Sequence, residues 1–220
     1  MPRSLNVLIF GAIGAVAAFL FFDHPLGVWF RQQPFSGDVR TLIRFGELFG
    51  HGFGPVLASL LIYVLDQANR HQIPRVLACA FASGLAAALV KVFLSRIRPR
   101  AFDFSHTIDQ TFQGLIWFRE ISDHYQSLSD YQSFPSAHTA TAVGLALALS
   151  RLYPHGRRLF AGFAVLVALQ RMVSEAHWLS DTICGAALAF LVAGFFLSDG
   201  PLARRFDRQE RKTPSKAGCG

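Results

Sequence analysis

The sequence predicts an all-α, polytopic membrane protein with six transmembrane helices in one bundle. Three observations lead there. Charged residues make up 16% of the 220 residues, against about 25% in an ordinary soluble domain. Hydrophobic residues make up 52%, with 22 Phe among them, and mean hydropathy is +0.34. The apolar residues are also gathered into six runs close to the 17–25 residues or so that cross a bilayer as a helix. This composition excludes a disordered or collagen-like chain, and the length suits one domain. Residues 1–198 are expected to form the membrane domain and residues 199–220 a basic, disordered cytoplasmic tail. The formal net charge of +7 reads as membrane-flanking cations rather than as a nucleic-acid surface, because the chain is so apolar.

The first run, Leu5–Phe22, carries no charge. Ala15-Val16-Ala17 faintly resembles a signal-peptide cleavage site, but the apolar run continues through Phe19, Leu20, Phe21 and Phe22, which makes it an uncleaved helix. The stretch Asp38–Phe45 reads as a short interfacial helix. The remaining runs are Leu48–Leu65, Val76–Leu94 with Lys91 inside it, Ser136–Tyr153, Leu159–Val173 with Arg171 inside it, and Thr182–Ser198. Small residues crowd the third and fourth runs, as close helix packing in lipid requires.

With Met1 cytoplasmic, the inner connections carry Arg70 and Arg75, then Arg157 and Arg158, then the arginines of the tail, in keeping with the positive-inside rule. The tail serves as a lipid-facing patch or a plain solubilising end. The outer loops, 23–47 and 95–135, are long and aromatic. Trp29, Phe30, Phe35, Phe102, Phe104, Phe112, Trp117, Phe118, Tyr125 and Tyr131 read mainly as a belt at the headgroup layer. Cys79, Cys184 and Cys219 form no CxxC pair, so zinc or redox chemistry is not indicated. The first two sit in apolar runs as small hydrophobes.

Ionisable groups in or beside a membrane span are costly and call for a function. Lys91 lies near the outer end of the third helix, followed by Arg96, Arg98 and Arg100. Ser136 and His138 open the fourth helix, Arg171 lies at the outer end of the fifth, and His177 and Asp181 precede or begin the sixth. Alternating helix direction places all of them on one membrane face, whichever way the chain is inserted. Arg96 and Arg100 read as snorkelling cations. Lys91 and Arg98 are about two helical turns apart, and their long stems let both heads converge on one site.

Pro135-Ser136-Ala137-His138 presents a serine N-cap and free backbone N–H groups, a natural anion site. Alone it is equally a cap beside an incidental histidine. His177 and Asp181, at i and i+4, can meet on a helical path, and a carboxylate on one ring nitrogen leaves the other as nucleophile or base. The alternative is that Ser180 or Asp181 only caps the sixth helix. Glu175, His51 and Asp103 have no assigned role and read as local or interfacial groups. The cations suit a phosphate, one histidine suits attack and the other suits protonating a leaving alcohol. No carboxylate cluster accompanies them, so metal-free phosphoryl transfer is the economical reading.

The order and spacing Lys91-x6-Arg98-Pro99, Pro135-Ser136-Ala137-His138 and Arg171-x5-His177-x3-Asp181 resemble the three signature motifs of the type 2 phosphatidic acid phosphatase superfamily. Gln170 stands where that family often has serine, and Ser174-Glu175 where small residues are common. The resemblance implies a six-helix bundle with its site at the outer leaflet and a phosphohistidine formed on His177. It implies that Asp181 orients His177, and that His138 protonates the leaving lipid alcohol and then helps activate water. Lys91, Arg98 and Arg171, with Ser136 and the Ala137 amide, would hold the phosphoryl oxygens.

The expected protein is a multi-pass enzyme of a bacterial inner membrane, its site facing the periplasm or exterior, with no metal, cofactor or nucleic-acid partner. Its substrate would be a membrane lipid: a polyprenyl diphosphate, phosphatidylglycerol phosphate, phosphatidate or a lipid A phosphate. A lipid phosphotransferase, or a non-catalytic anionic-lipid binder or transporter, are the alternatives.

Overall fold

The computed structural model describes residues 2–115, 128–198 and 200–212. The first apolar run forms α1 (Pro2–Ala17), which continues through a π-helical turn (Ala18–Phe22) into α2 (Asp23–Arg31). Then come α3 (Gly37–Gly50), α4 (Phe53–Leu65) and α5 (Ile73–Phe93). A short antiparallel hairpin, β1 (Leu94–Arg96) with β2 (Phe112–Leu115), follows. The chain ends in α6 (Ala137–Leu152), α7 (Arg157–Val173), α8 (Leu179–Leu197) and α9 (Pro201–Lys212).

The second apolar run is not one straight span. It breaks between α3 and α4 with a 75° bend. Gly54 makes the corner, because a Cβ there would meet the Leu48 carbonyl oxygen at 2.5 Å. Among the described residues, three helical stretches are long and apolar enough to cross a bilayer: Ile9–Arg31, Gln67–Phe93 and Leu179–Leu197. The bent α3–α4 pair makes up to four. α6 and α7, at 16 and 17 residues, stand at the short end of the crossing length.

Small residues fill the interior and large ones face out. Ala80, Ala87, Ala140, Ala142 and Ala189 are fully buried, while Phe10, Phe21, Leu65, Val165 and Phe195 are exposed. That is the reverse of a water-soluble helix bundle and matches packing in lipid. α6 stands at the centre against α5, α7 and α8, with α1 on α8 and α3 on α7. Backbones approach closely at glycines: a Cβ on Gly84 would collide with Thr141 Oγ1, and one on Gly185 with the Ser136 carbonyl oxygen.

Two expectations are corrected. The tail is not unstructured over 201–212 but forms α9. Its Asp207 and Glu210 take the buried Arg75 guanidinium at 2.5 and 2.8 Å, Asp207 also pairs with Arg151, and Phe206 packs on Phe196. Arg204, Arg205 and Arg208 remain exposed. The aromatics are not all a belt. Phe102, Tyr131 and Trp178 form a buried cluster with Ile97, and Phe104 packs against it. Packing the loop onto the bundle gains more apolar burial than leaving these rings at the headgroup layer. Trp117, Phe118 and Tyr125 lie outside the described residues.

Candidate active site

The ends of α5 and α7 and the starts of α6 and α8 meet on one side of the bundle, which gathers the ionisable residues singled out from the sequence. Ser136 caps α6: its Oγ accepts from the Thr139 amide at 3.4 Å and from the Thr139 hydroxyl at 2.9 Å, and its own amide donates to the Asp181 carbonyl at 3.0 Å. Ala137 is the first residue of α6 and His138 the second.

His177 sits in the connection between α7 and α8, buried, with Nδ1 3.6 Å from Asp181 Oδ2. That is just beyond a hydrogen bond, with the carboxylate facing the ring nitrogen. Burial pushes the His177 ring down to about 3, with Lys91 and Arg98 adding to the effect and Asp181 opposing it. The ring is therefore neutral at physiological pH, the state a nucleophile needs.

Asp181 is held from three other directions. Ser133 Oγ donates to Oδ2 at 2.5 Å, the Trp178 amide donates to Oδ2 at 2.9 Å, and Arg96 donates to Oδ1. Arg96 also reaches Asp23 Oδ2 at 2.8 Å, Ser180 Oγ at 2.7 Å and Thr111 Oγ1 at 3.2 Å. Asp23 accepts in turn from the Ser180 amide and hydroxyl. The snorkelling role expected of Arg96 is thus wrong. It is 0% exposed and lies among Phe19, Phe112 and Trp178. The bulged β1 strand turns it inward, where two buried carboxylates offset the cost of desolvating it. Arg100 does not snorkel either, since it pairs with Asp130 at 2.7 Å.

Lys91 and Arg98 do converge: Lys91 Nζ donates to the Gln132 carbonyl at 3.1 Å and Arg98 Nη2 to the same oxygen at 3.5 Å. Burial first, then the charges of Arg100 and Arg171, lower Arg98 to about 10, so it remains a cation at neutral pH. Two buried atoms here, Arg98 Nε and His177 Nδ1, find no hydrogen-bond partner among the described residues. His177 Nδ1 faces Asp181 just beyond hydrogen-bond distance, which leaves Arg98 Nε as the buried donor available to a bound oxyanion. Arg171 stands within electrostatic reach of Lys91, Arg98 and His138. Its Nη2 pairs with Glu47 at 2.8 Å and its Nε donates to Gln170 at 2.5 Å.

Three residues of the site give no signal of their role in the sequence: Asp23, Arg96 and Glu47. Glu175, expected to be a local or interfacial group, instead ties the end of α7 to the end of α2, 144 residues away. It stands at φ +51 and takes Arg31 at 3.1 Å, whose guanidinium also donates to the Pro99 and Arg100 carbonyls. His51 lies at the α3–α4 corner with its ring centroid 5.8 Å from that of His138. Among the described residues no three His, Cys, Asp or Glu side chains converge as metal ligands. A cavity of about 550 Å³ runs along α6, α7 and α8, lined almost wholly by apolar side chains. It reaches Thr139, Met172 and Thr182, next to His138, Arg171 and Asp181.

A model of the PAP2 superfamily matches residues 73–205, more than half of the chain and all three motifs. The chain belongs to the PAP2 superfamily. Relatives extend the likeness beyond the PAP2 segment. A lipid A 1-phosphatase of Rhizobium etli is 29% identical over 206 residues, covering 84% of this chain and 81% of that one. One of Rhizobium johnstonii is 27% identical, covering 84% and 77%. A crystal structure of a transmembrane PAP2-type phosphatidylglycerolphosphate phosphatase from Bacillus subtilis aligns with a TM-score of 0.59, covering 95% of this chain and 98% of that one. At 17% identity, that structure speaks to the fold alone. Asp23, Arg31 and Glu47 lie before the matched PAP2 segment, so the N-terminal helices supply its buttressing side chains.

Proposed function

We propose that this PAP2 protein hydrolyses the phosphate of a membrane lipid through a phosphohistidine on His177, without a metal, at the outer face of the membrane. The observation that carries the reading is the buried, neutral His177 beside Asp181 and within electrostatic reach of Lys91 and Arg98.

The Nε2 lone pair of His177 attacks phosphorus, and the bond from phosphorus to the lipid oxygen breaks. His138 gives its proton to that oxygen. The phosphorylated ring carries a positive charge, which the ionised Asp181 offsets. Lys91, Arg98, Arg171 and the amides at the start of α6 bind the phosphoryl oxygens. This clamp is the largest catalytic effect, because phosphoryl transfer asks mainly for positioning and charge stabilisation. Neutral His138 then takes a proton from water as the water oxygen attacks phosphorus. The P–N bond breaks, releasing inorganic phosphate and the starting enzyme.

In this reading the six crossings are α1–α2, the α3–α4 pair, α5, α6, α7 and α8. The basic groups at the opposite end support a cytoplasmic location for both termini. The apolar cavity beside the site fits an acyl chain. The relatives named lipid A 1-phosphatase, matched over most of both chains, support a lipid A type of substrate.

The test is phosphate release in mixed micelles from four lipids: a lipid A 1-phosphate, phosphatidate, phosphatidylglycerol phosphate and a polyprenyl diphosphate, each with and without EDTA. The lipid A phosphate should be hydrolysed fastest, equally in EDTA, and not at all by His177→Ala. Release from none of the four, or loss in EDTA restored by Mg²⁺, would reject the proposal.

A further inference from the structure

Beside Arg171 lies a further cavity of about 380 Å³, between α3 and the end of α7 and without His177 in its lining. Arg40, Arg44, Glu47, Gln170, Arg171 and Ser174 line it. Arg40, Arg44 and Glu47 are spaced i, i+4, i+7 and so share one face of α3, while Ile43 of the same helix is buried. The other arginines at this end of the molecule are engaged. Arg31 holds Glu175 and three carbonyls, Arg96 holds Asp23 and Asp181, Arg98 donates to Gln132, Arg100 holds Asp130 and Arg171 holds Glu47. Arg40 and Arg44 make no hydrogen bond or ion pair among the described residues. Among the described residues Glu47 is the only carboxylate lining the cavity, and it is already paired with Arg171, which leaves the Arg40 and Arg44 guanidinium groups without a carboxylate there.

We infer that this cavity is a second phosphate subsite, which takes a further phosphate carried on the same headgroup as the scissile one. The inference rests on the hydrolase reading above. Arg171 is shared between the two sites, since it lines this cavity and lies within electrostatic reach of Lys91, Arg98 and His138. A headgroup with two phosphates would therefore straddle Arg171, with its lipid part toward the apolar cavity. Guanidinium forks bind phosphate bidentately, and a concave site holds them more selectively than an open surface does. A lipid with one phosphate fills only the catalytic side and leaves Arg40 and Arg44 unused.

The test compares a glycolipid bearing two phosphomonoesters with the same glycolipid bearing one, in zwitterionic micelles. The readout is the ratio of their kcat/KM values for the wild type, Arg40→Gln/Arg44→Gln and Arg40→Lys/Arg44→Lys. The wild type should prefer the two-phosphate lipid, and the glutamine variant should lose that preference about 10–100-fold, the worth of one or two charged hydrogen bonds. The lysine variant should retain part of it. An unchanged ratio overturns the subsite, including the case where both substrates slow equally. A change that appears only when phosphatidylglycerol is added assigns the arginines to neighbouring lipids and also overturns it. If the wild type hydrolyses neither lipid, the hydrolase reading fails separately. The preference is then read as the ratio of Kd values for the two lipids in the same micelles: its loss in the glutamine variant supports the subsite, and an unchanged ratio overturns it.

Discussion

Arg96 is the residue whose replacement should tell most about how the site is built. It is 0% exposed and ion-paired with Asp23 and Asp181, both fully enclosed. Arg96→Met keeps the bulk and removes the charge, leaving two buried carboxylates without their cation. Breaking a buried pair from one side costs about 3–5 kcal/mol. At this chain length that corresponds to a fall of about 6–20 °C in the thermal midpoint.

Asp23→Asn alone should cost less, because Arg96 then still neutralises Asp181. In the double variant Asp23→Asn/Arg96→Met, only Asp181 is stranded. A coupling of about 1.5 kcal/mol would place its midpoint about 3–6 °C above the value obtained by adding the two single effects. Melting in detergent, followed by intrinsic tryptophan fluorescence, gives the three midpoints against wild type. Phosphate release measured cold, where the variants stay folded, should also fall in Arg96→Met, because Asp181 loses the partner of its Oδ1. An Arg96→Met midpoint within about 2 °C of wild type, or effects additive within about 0.5 kcal/mol, would refute the network as drawn.

The His177 ring is pushed from 6.5 to about 3 in the folded protein. The unfolded chain therefore binds a proton that the folded one refuses, so His177 lowers stability as pH falls from about 6.5 towards 3, by up to about 1.4 kcal/mol per pH unit. His177→Asn lacks this contribution, and its midpoint relative to wild type should rise between about pH 7 and pH 4; a constant difference would show that the ring is not held neutral. For topology, a reporter active only in the periplasm and fused after Gly220 should stay silent, and a strong signal would invert the orientation.

Much of the architecture is legible because lipid imposes a simple rule on composition. Apolar runs become helices, and a charge such as Lys91 or Arg171 inside one stands out. The motif residues are legible for the same reason. Arg96 is not legible because its partners are remote: Asp23 and Asp181 lie 73 and 85 residues away. No local pattern separates a snorkelling arginine from one that a strand bulge turns inward. Glu47 is hidden likewise, 123 residues from the Gln170 it accepts from. The break between α3 and α4 does leave a signal, the cluster Gly50-His51-Gly52-Phe53-Gly54 within an apolar run. The helix at 201–212 escapes a sequence reading because its polar composition looks solvated in isolation. Its order comes from Arg75, a residue of α5 that requires carboxylate partners once buried.

The mechanism stands on one division of labour: His177 carries the phosphoryl group, and His138 supplies and removes protons. Chemical quench with a labelled aryl phosphate, whose leaving group needs little protonation, tests it directly, since phosphohistidine is acid-labile and alkali-stable. General acid–base assistance is worth about 10²–10⁴-fold, so His138→Ala should slow water attack by that order and let the intermediate accumulate. An alkali-stable label is expected at His177 in His138→Ala and none in His177→Ala. A label on His138, or one that persists in His177→Ala, would contradict that division.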